Sequence, residues 1–379
     1  MTRQVDVLVA GGGPVGVAFA RALARSGIDS VVVERGRGDT QAFRPVALAH
    51  GSRLFLDELD AFAGLLTTPI TTIHVSQRGS FGRTVMTAAE FALPALGYVA
   101  DLGDIATHLA RRLAPTTVHG RVVSWYGGDE YAAVRIERDG GDAEHWQARL
   151  LVLADGGGVR AGLAQRDYGQ SAVVAAVSTS RPAPGIAYER FTHDGPIALL
   201  PHRAGHALVW TVRREDASAL VAADEHAFLR RLEATFGGRL GRFTTALQRA
   251  AYPLQLRFQH EPIAAPRVLA IGNASQTLHP VAGQGLNVGL RDAAELAMLV
   301  RATPARALGD ATFLHRAAAA RALDRRAAIG VTDALVRVFG VAHPAAALVR
   351  GLGLVALDGL PPARRFFARR MIFGTRALP

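Results

Sequence analysis

The stretch VDVLVAGGGPVGVAFARALARSGIDSVVVERG, from Val5 to Gly36, constrains the fold more than any other part of the chain. Val5 to Ala10 is a short unbroken apolar run, the pattern of a strand buried on both faces, and Val15 to Ala24 is small and apolar at helical spacing. Between them Gly11, Gly13 and Gly16 make GxGxxG. The first glycine permits a tight turn, the second lets a pyrophosphate approach the backbone, and the third lets the helix pack close to the strand. Pro14 and Val15 open that helix, whose N-terminal amides and dipole favour phosphate. Val31 to Val33 make a second strand that ends in Glu34 and Arg35, and Glu34 lies where an acid accepts hydrogen bonds from an adenosine ribose. The unit predicts a parallel sheet that binds a dinucleotide, NAD or FAD.

A chain of 379 residues, nearly half of them hydrophobic, can bury a substantial core. It contains no cysteine, which excludes disulfides, thiolate catalysis and cysteine-ligated metals. The net charge of +11 comes from arginine alone, since no lysine is present. Residues 301–379 carry 13 of those arginines against 4 aspartates and no glutamate. This basic end suits an anionic membrane surface or an acidic partner, or simply solvated helix faces, and no accompanying motif points to nucleic acid. The first strand starts too near Met1 to leave room for a secretory signal. The apolar stretch from Ala327 to Leu357 is interrupted by Asp333, Arg337 and Arg350, short of the ~20 apolar residues a spanning helix needs. A cytoplasmic protein, at most peripheral on the inner face of a membrane, is expected.

A second glycine cluster lies in RVLAIGNASQTLHPVAGQGLNVGLRDAAELAMLV, from Arg267 to Val300. Val268 to Ile271 reads as another buried strand, and Leu286 to Val300 has helical periodicity. Gly283 and Gly285 free the backbone to turn amides outward, so a second helix N-terminus presents positive partial charge to a ligand. An anion-stabilising helix end suits a cofactor head group that becomes negative on reduction, which describes a flavin better than a nicotinamide.

GNASQTLHPVAGQGLNVGLRD, with FRPVALAHGSRLFLDEL from Phe43, YERFTHDGPIALLP from Tyr188 and AYPLQL from Ala251, resembles the FAD-dependent aromatic hydroxylases of the para-hydroxybenzoate hydroxylase type. Within that family it is most similar to the branch that hydroxylates polyprenylated phenols in ubiquinone biosynthesis. The resemblance implies an α/β fold in which a Rossmann-like FAD-binding domain (1–69, 97–177 and 263–340) interleaves with a mostly antiparallel substrate domain (70–96 and 178–262). A basic helical region (341–379) follows. By position, it implies FAD phosphate on Gly11, Gly13 and Gly16 and ribose on Glu34. Arg44 would reach the flavin side, Asp155 and Gly156 match a motif associated with FAD and nicotinamide, and Asn273 would touch the ribityl chain. Pro280 would lie beside the ring, with Gly283, Gly285, Leu286 and Asn287 near its C2 carbonyl. Ala42, Val159 and the run Asp101 to Asp104 depart from the family pattern.

The chemistry implied is reduction of FAD by a transient NAD(P)H, addition of O2 at flavin C4a, and transfer of OH to an electron-rich ring. His279, placed beside the flavin by the motif, is the candidate base that makes a phenol a phenolate; its alternative role is to position the turn at Pro280. Arg364, Arg365, Arg369 and Arg370, set among Phe366, Phe367, Met371, Ile372 and Phe373, would rest on an anionic membrane or on other ubiquinone-biosynthesis proteins while a lipid substrate enters. Two other functions stay open: hydroxylation of a small soluble aromatic, and a flavin-poor accessory role, the latter motivated by the departures from the pattern.

Overall fold

The structure is a computed structural model that describes residues 2–24, 26–36, 42–111, 116–138, 140–156, 163–278, 283–340 and 343–374. The N-terminal strand Arg3–Ala10 lies between Ser30–Glu34 and Ala143–Leu153, parallel to both. Val7, Leu8 and Val9 are fully buried there, as an unbroken apolar run requires when both faces of a sheet are covered. The helix Pro14–Leu23 returns the chain from the first strand to its parallel neighbour and buries Phe19 and Leu23. Thr116–Gly127 and Val268–Ala270 extend the parallel arrangement, and Ala132–Arg138 and Ile263–Ala265 add antiparallel strands to complete a seven-stranded sheet.

An eight-stranded sheet runs Gln276–Thr277, Phe243–Gln259, Leu163–Thr179, Gly205–Arg213, Gly195–His202, Ile186–Thr192, Thr72–Gln77 and Arg83–Thr87. Every adjacent pair is antiparallel except Ile186–Thr192 with Thr72–Gln77. The helices Arg214–Ala222 and Glu225–Phe236 pack on one face around Trp210, Phe228 and Phe236. The other face looks into the interior. One expected boundary moves: Leu163–Thr179, assigned through residue 177 to the dinucleotide portion, belongs to this second sheet. Its seventeen residues pair with Phe243–Gln259 on one edge and Gly205–Arg213 on the other, and that pairing decides its place.

The last helices among the described residues are Ala311–Gly340, Pro344–Gly359 and Pro361–Phe373. They are tied to the edge of the eight-stranded sheet. Gln77 Nε2 donates to the Ala347 carbonyl (3.0 Å), Val85 N to Asp358 Oδ1 (2.9 Å), and Arg364 pairs with Glu90 (2.9 Å). No single helix among the described residues is long and apolar enough to cross a membrane; Ala345–Gly359 and Pro361–Phe373 reach that apolarity only as a pair bent by 95°.

Candidate functional site

The first glycine turn is shaped by three close approaches. Gly11 has φ +127°, and a Cβ there would lie 2.4 Å from the Ala154 carbonyl oxygen, on the neighbouring strand. A Cβ on Gly12 would lie 2.0 Å from a carboxylate oxygen of Glu34, and one on Gly16 would lie 2.2 Å from the Gly11 carbonyl. Gly13 caps the helix in extended conformation ahead of Pro14, and nothing within 4 Å would meet a Cβ on it. The helix N-terminus therefore opens onto space rather than onto protein. Glu34, mostly buried, closes the far side, with His119 Nδ1 at 4.0 Å.

The second turn begins at Gly283, which caps the helix Gln284–Arg301 in the left-handed region at φ +61°. That conformation favours glycine. The first-turn amides of Gly285 and Leu286 lack intrahelical acceptors by geometry and lie at the positive end of the helix. Asn287, 2% exposed, fastens this end to the strand Pro45–Ala49 and the helix His50–Glu58. Its Oδ1 accepts from Ala49 N and Ser52 Oγ, and its Nδ2 donates to the Ala47 and Gly283 carbonyls, all at 2.8 Å. Its side-chain polar atoms are thus committed to protein.

Val15 joins the two turns. A Cβ on Gly272 would stand 3.1 Å from Val15 Cγ1, and one on Gly289 only 2.7 Å from Val15 Cγ2. The first helix therefore wedges a valine between two glycines of the late motif, and no larger residue at Gly289 leaves room for it. Behind the late motif a buried charge network fixes the loop. Asp292 accepts from Gly272 N (3.1 Å), Gln276 Nε2 (2.8 Å) and Arg321 Nε (2.7 Å). Arg321 also reaches Glu295 (3.0 Å) and Asp324 (2.5 Å), and Arg291 reaches Asp324 (2.9 Å). Burial alone would raise the Asp324 carboxyl, but the guanidinium groups of Arg291 and Arg321 outweigh it and hold the pKa at about 2.

Both turns line one cavity of about 1600 Å³. Gly11, Gly13, Pro14, Val15, Glu34, Arg35, Arg44, Asp155 and Gly156 border one part of it, with Asn273, Gly283, Gly285, Leu286 and Asn287. Gly16 stays behind the turn, where the strand approaches. Arg44 lies over the Tyr252 ring at 4.8 Å. The remainder is mostly apolar: one face of the eight-stranded sheet, with Leu335, Phe339, Leu354, Phe367 and Met371 from the terminal helices. His279, Pro280 and Val159 lie outside the described residues. Asp101, where the family pattern is broken, ends the strand Gly97–Asp101 and meets His202 Nε2 at 3.3 Å.

Three contributors were not expected. Gly12, which the GxGxxG spacing treats as variable, is the residue that Glu34 leaves no room to enlarge. Arg121 to Trp125 and Gln259 to Glu261 also border the cavity. Neither stretch carries a local signal, because each reaches the site through strand pairing across the sheet.

The arrangement fits FAD. The glycine cradle is one a Cβ would fill, two helix N-termini face one space, and the volume exceeds the ~300–1,000 Å³ of ordinary small-ligand pockets. A dinucleotide fold opening onto an apolar sheet defines a flavoprotein oxidoreductase. The sequence matches the FAD binding domain family over residues 4–325. It is 34% identical to the ubiquinone hydroxylase UbiL of Rhodospirillum rubrum, over 97% of this chain and 89% of that one. It is 28% identical to the 3-demethoxyubiquinol 3-hydroxylase of Escherichia coli, over 94% and 96%. The p-nitrophenol 4-monooxygenase PnpA of Pseudomonas putida shares the fold, with a TM-score of 0.76 at 18% identity, covering 99% of this chain and 100% of that one. The chain belongs to the FAD binding domain family and is an FAD-dependent aromatic-ring monooxygenase.

Proposed function

We propose that this monooxygenase uses NAD(P)H and O2 to hydroxylate a polyprenylated phenol ring in ubiquinone biosynthesis. The observation that carries this is the continuity of one cavity, from two phosphate- and ring-stabilising helix ends to a long apolar compartment. Gly11, Gly13 and the amide of Val15 would hold the pyrophosphate, Glu34 would take the ribose, and Asn273 and Arg44 border the middle. The helix end at Gly285 and Leu286 faces the ring's electron-rich pole, an interaction worth ~1–2 kcal/mol when partly buried. Bound flavin, once reduced, supplies the activation of O2 for oxygen transfer to the ring. The chain's own residues hold the ring's charge, exclude water with apolar walls, and aim the substrate.

The named activities of the relatives support the substrate class, and the apolar walls suit its prenyl tail. The terminal helices that line the cavity inside carry exposed Leu348, Val349, Leu352, Val355, Leu360 and Phe366 outside. Exposed Arg365 and Arg369 flank them. Exposed apolar side chains on two helices, with exposed arginines on the second, support peripheral attachment to an anionic membrane, from which a lipid substrate passes inward. The test is NAD(P)H oxidation by the FAD-loaded protein. A prenylated phenol should stimulate it and gain one oxygen atom, while flotation with anionic liposomes should carry the protein at low salt. Stimulation by unprenylated phenols alone rules out the prenyl substrate, and failure to float rules out the lipid contact.

A further inference from the structure

The apolar compartment has a direction. Ala187 and Phe191, four residues apart on the strand Ile186–Thr192, share a face, and both border the cavity. Ala187 clusters with Val99 and Ala47, and the Ala47 carbonyl accepts from Asn287, so this end adjoins the second helix turn. Four residues of strand carry the wall about 13 Å away from it. There the Phe191 ring stacks on Phe339 of the helix Ala311–Gly340, with centroids 3.6 Å apart and planes 16° from parallel. Val75 and Leu335 pack against the pair, and all four residues border the cavity. What comes next is polar. Arg350 lies over the Phe339 ring, 5.7 Å from its centroid, and donates to the Val338 carbonyl (2.8 Å) and to Gln77 Oε1 (3.3 Å). Gln77, beside Phe191 in the strand register, donates in turn to the Phe81 and Ala347 carbonyls. Neither Arg350 nor Gln77 borders the cavity. The two stacked rings stand between it and this hydrogen-bonded layer.

We infer that Phe191 and Phe339 are the end stop of the substrate compartment and set how long a prenyl tail it takes. This rests on the proposed hydroxylation of a prenylated ring. A ring held at the flavin end sends its tail along the sheet wall, and each added unit buries apolar surface until the tail meets the aromatic pair. To go further the tail would have to unstack the two rings and displace the contacts of Arg350 and Gln77, polar groups that lose by meeting hydrocarbon. Beyond that length added units find no apolar wall to bury against. The pair acts on substrate length alone, so its contribution separates from oxygen transfer at the ring.

The experiment measures kcat/KM of the FAD-loaded protein for one phenol bearing no tail and for the same phenol bearing tails of increasing numbers of prenyl units. It reads the ratio of tailed to untailed substrate within one preparation, which cancels any loss of folded protein. One methylene in an apolar pocket is worth about 10- to 200-fold, so the wild-type ratio should climb at least about tenfold per unit and then stop. Phe339→Ala and Phe191→Ala should move the stopping point to longer tails, with at least about a tenfold gain at the first length the wild type does not reward. Phe339→Trp should move it to shorter tails. Phe339→Leu and Phe339→Trp decide the matter if the alanine variants fail to fold. A wild-type ratio that climbs without a stop overturns the assignment, and so does a stopping point that none of the variants moves. A wild type that binds FAD but gains nothing from any tail, or hydroxylates no phenol, sinks the proposed function instead, a result distinct from both.

Discussion

Replacing Asn287 by alanine tests how the second helix end is held. The substitution removes two acceptor contacts and two donor contacts at once, all at 2.8 Å and all in protein interior. They are not equal. The Ser52 hydroxyl can rotate, and the Ala47 and Gly283 carbonyls each have a second lone pair. The Ala49 amide has neither freedom. An orphaned buried donor costs ~1–3 kcal/mol, and the three lesser losses bring the total to roughly 2–4 kcal/mol. For a chain this size each kcal/mol lowers Tm by about 2 °C or somewhat less.

Stability alone would not establish the role at the site. Asn287 joins Gly283 to the strand at Ala47, so its loss should also let the first turn of the helix drift from the cavity. The FAD-free protein should unfold at lower urea, and FAD titrated by flavin fluorescence should bind at least about tenfold more weakly. Asn287→Asp should be no better, since a carboxylate oxygen would then face the Ala47 and Gly283 carbonyls. An alanine variant destabilised by less than about 1 kcal/mol, with unchanged FAD affinity, would refute the reasoning.

Gly289→Ala should destabilise the fold by about 1–3 kcal/mol through overpacking against Val15, and Val15→Ala in the same chain should restore part of it, as a double-mutant cycle in urea would show. Stability should also fall with acid in two windows. His206 and His74 are buried, and burial pushes both pKa values down, with Arg239 adding to it at His74. The unfolded chain then binds more protons than the folded one, so stability is present above about pH 6.5 and is lost as pH falls below it. His206→Leu should flatten that limb in thermal melts taken from pH 8 to 5. Asp324, held at about 2, contributes stability that is present above about pH 4 and lost as pH falls toward 2. A wild type equally stable at pH 7 and 5 would contradict the first window.

The phosphate end of the site was legible because its chemistry is local. Gly11, Gly13, Gly16 and Glu34 fall within twenty-four residues, and the strand, turn and helix that position them are neighbours in sequence. What sequence spacing hides is tertiary. Gly12 reads as a free position until Glu34 is seen facing it. For Asn287 the sequence shows only a place at the start of the late helix; that its side chain is bonded to Ala47, Ala49 and Ser52, some 240 residues earlier, is tertiary. The parallel pairing of Thr72–Gln77 with Ile186–Thr192 joins strands more than a hundred residues apart, and only that pairing sets Phe191 beside Gln77. Leu163–Thr179 changes allegiance for the same reason: an apolar run announces a strand but not which sheet it joins.

The contact between Val15 and the two glycines Gly272 and Gly289 has a consequence for how the cofactor and the fold are coupled. A dinucleotide has a fixed span, so its two anchoring turns need a fixed separation. A valine wedged between glycines sets that separation by steric contact, which cannot slide. The phosphate turn is then held in its geometry by Gly272 and Gly289, and the segments that carry them are fastened through Asp292 and Gln276 to the buried arginines at 321 and 325 of a still later helix. Binding therefore draws on the folding of nearly the whole chain rather than on one local unit. FAD at a hundred times its Kd would add about 2.7 kcal/mol to global stability. Protection from proteolysis on adding FAD should accordingly extend to cleavage sites in the helix Ala311–Gly340 as well as to those near Gly11, whereas protection confined to the first sixty residues would place the coupling elsewhere.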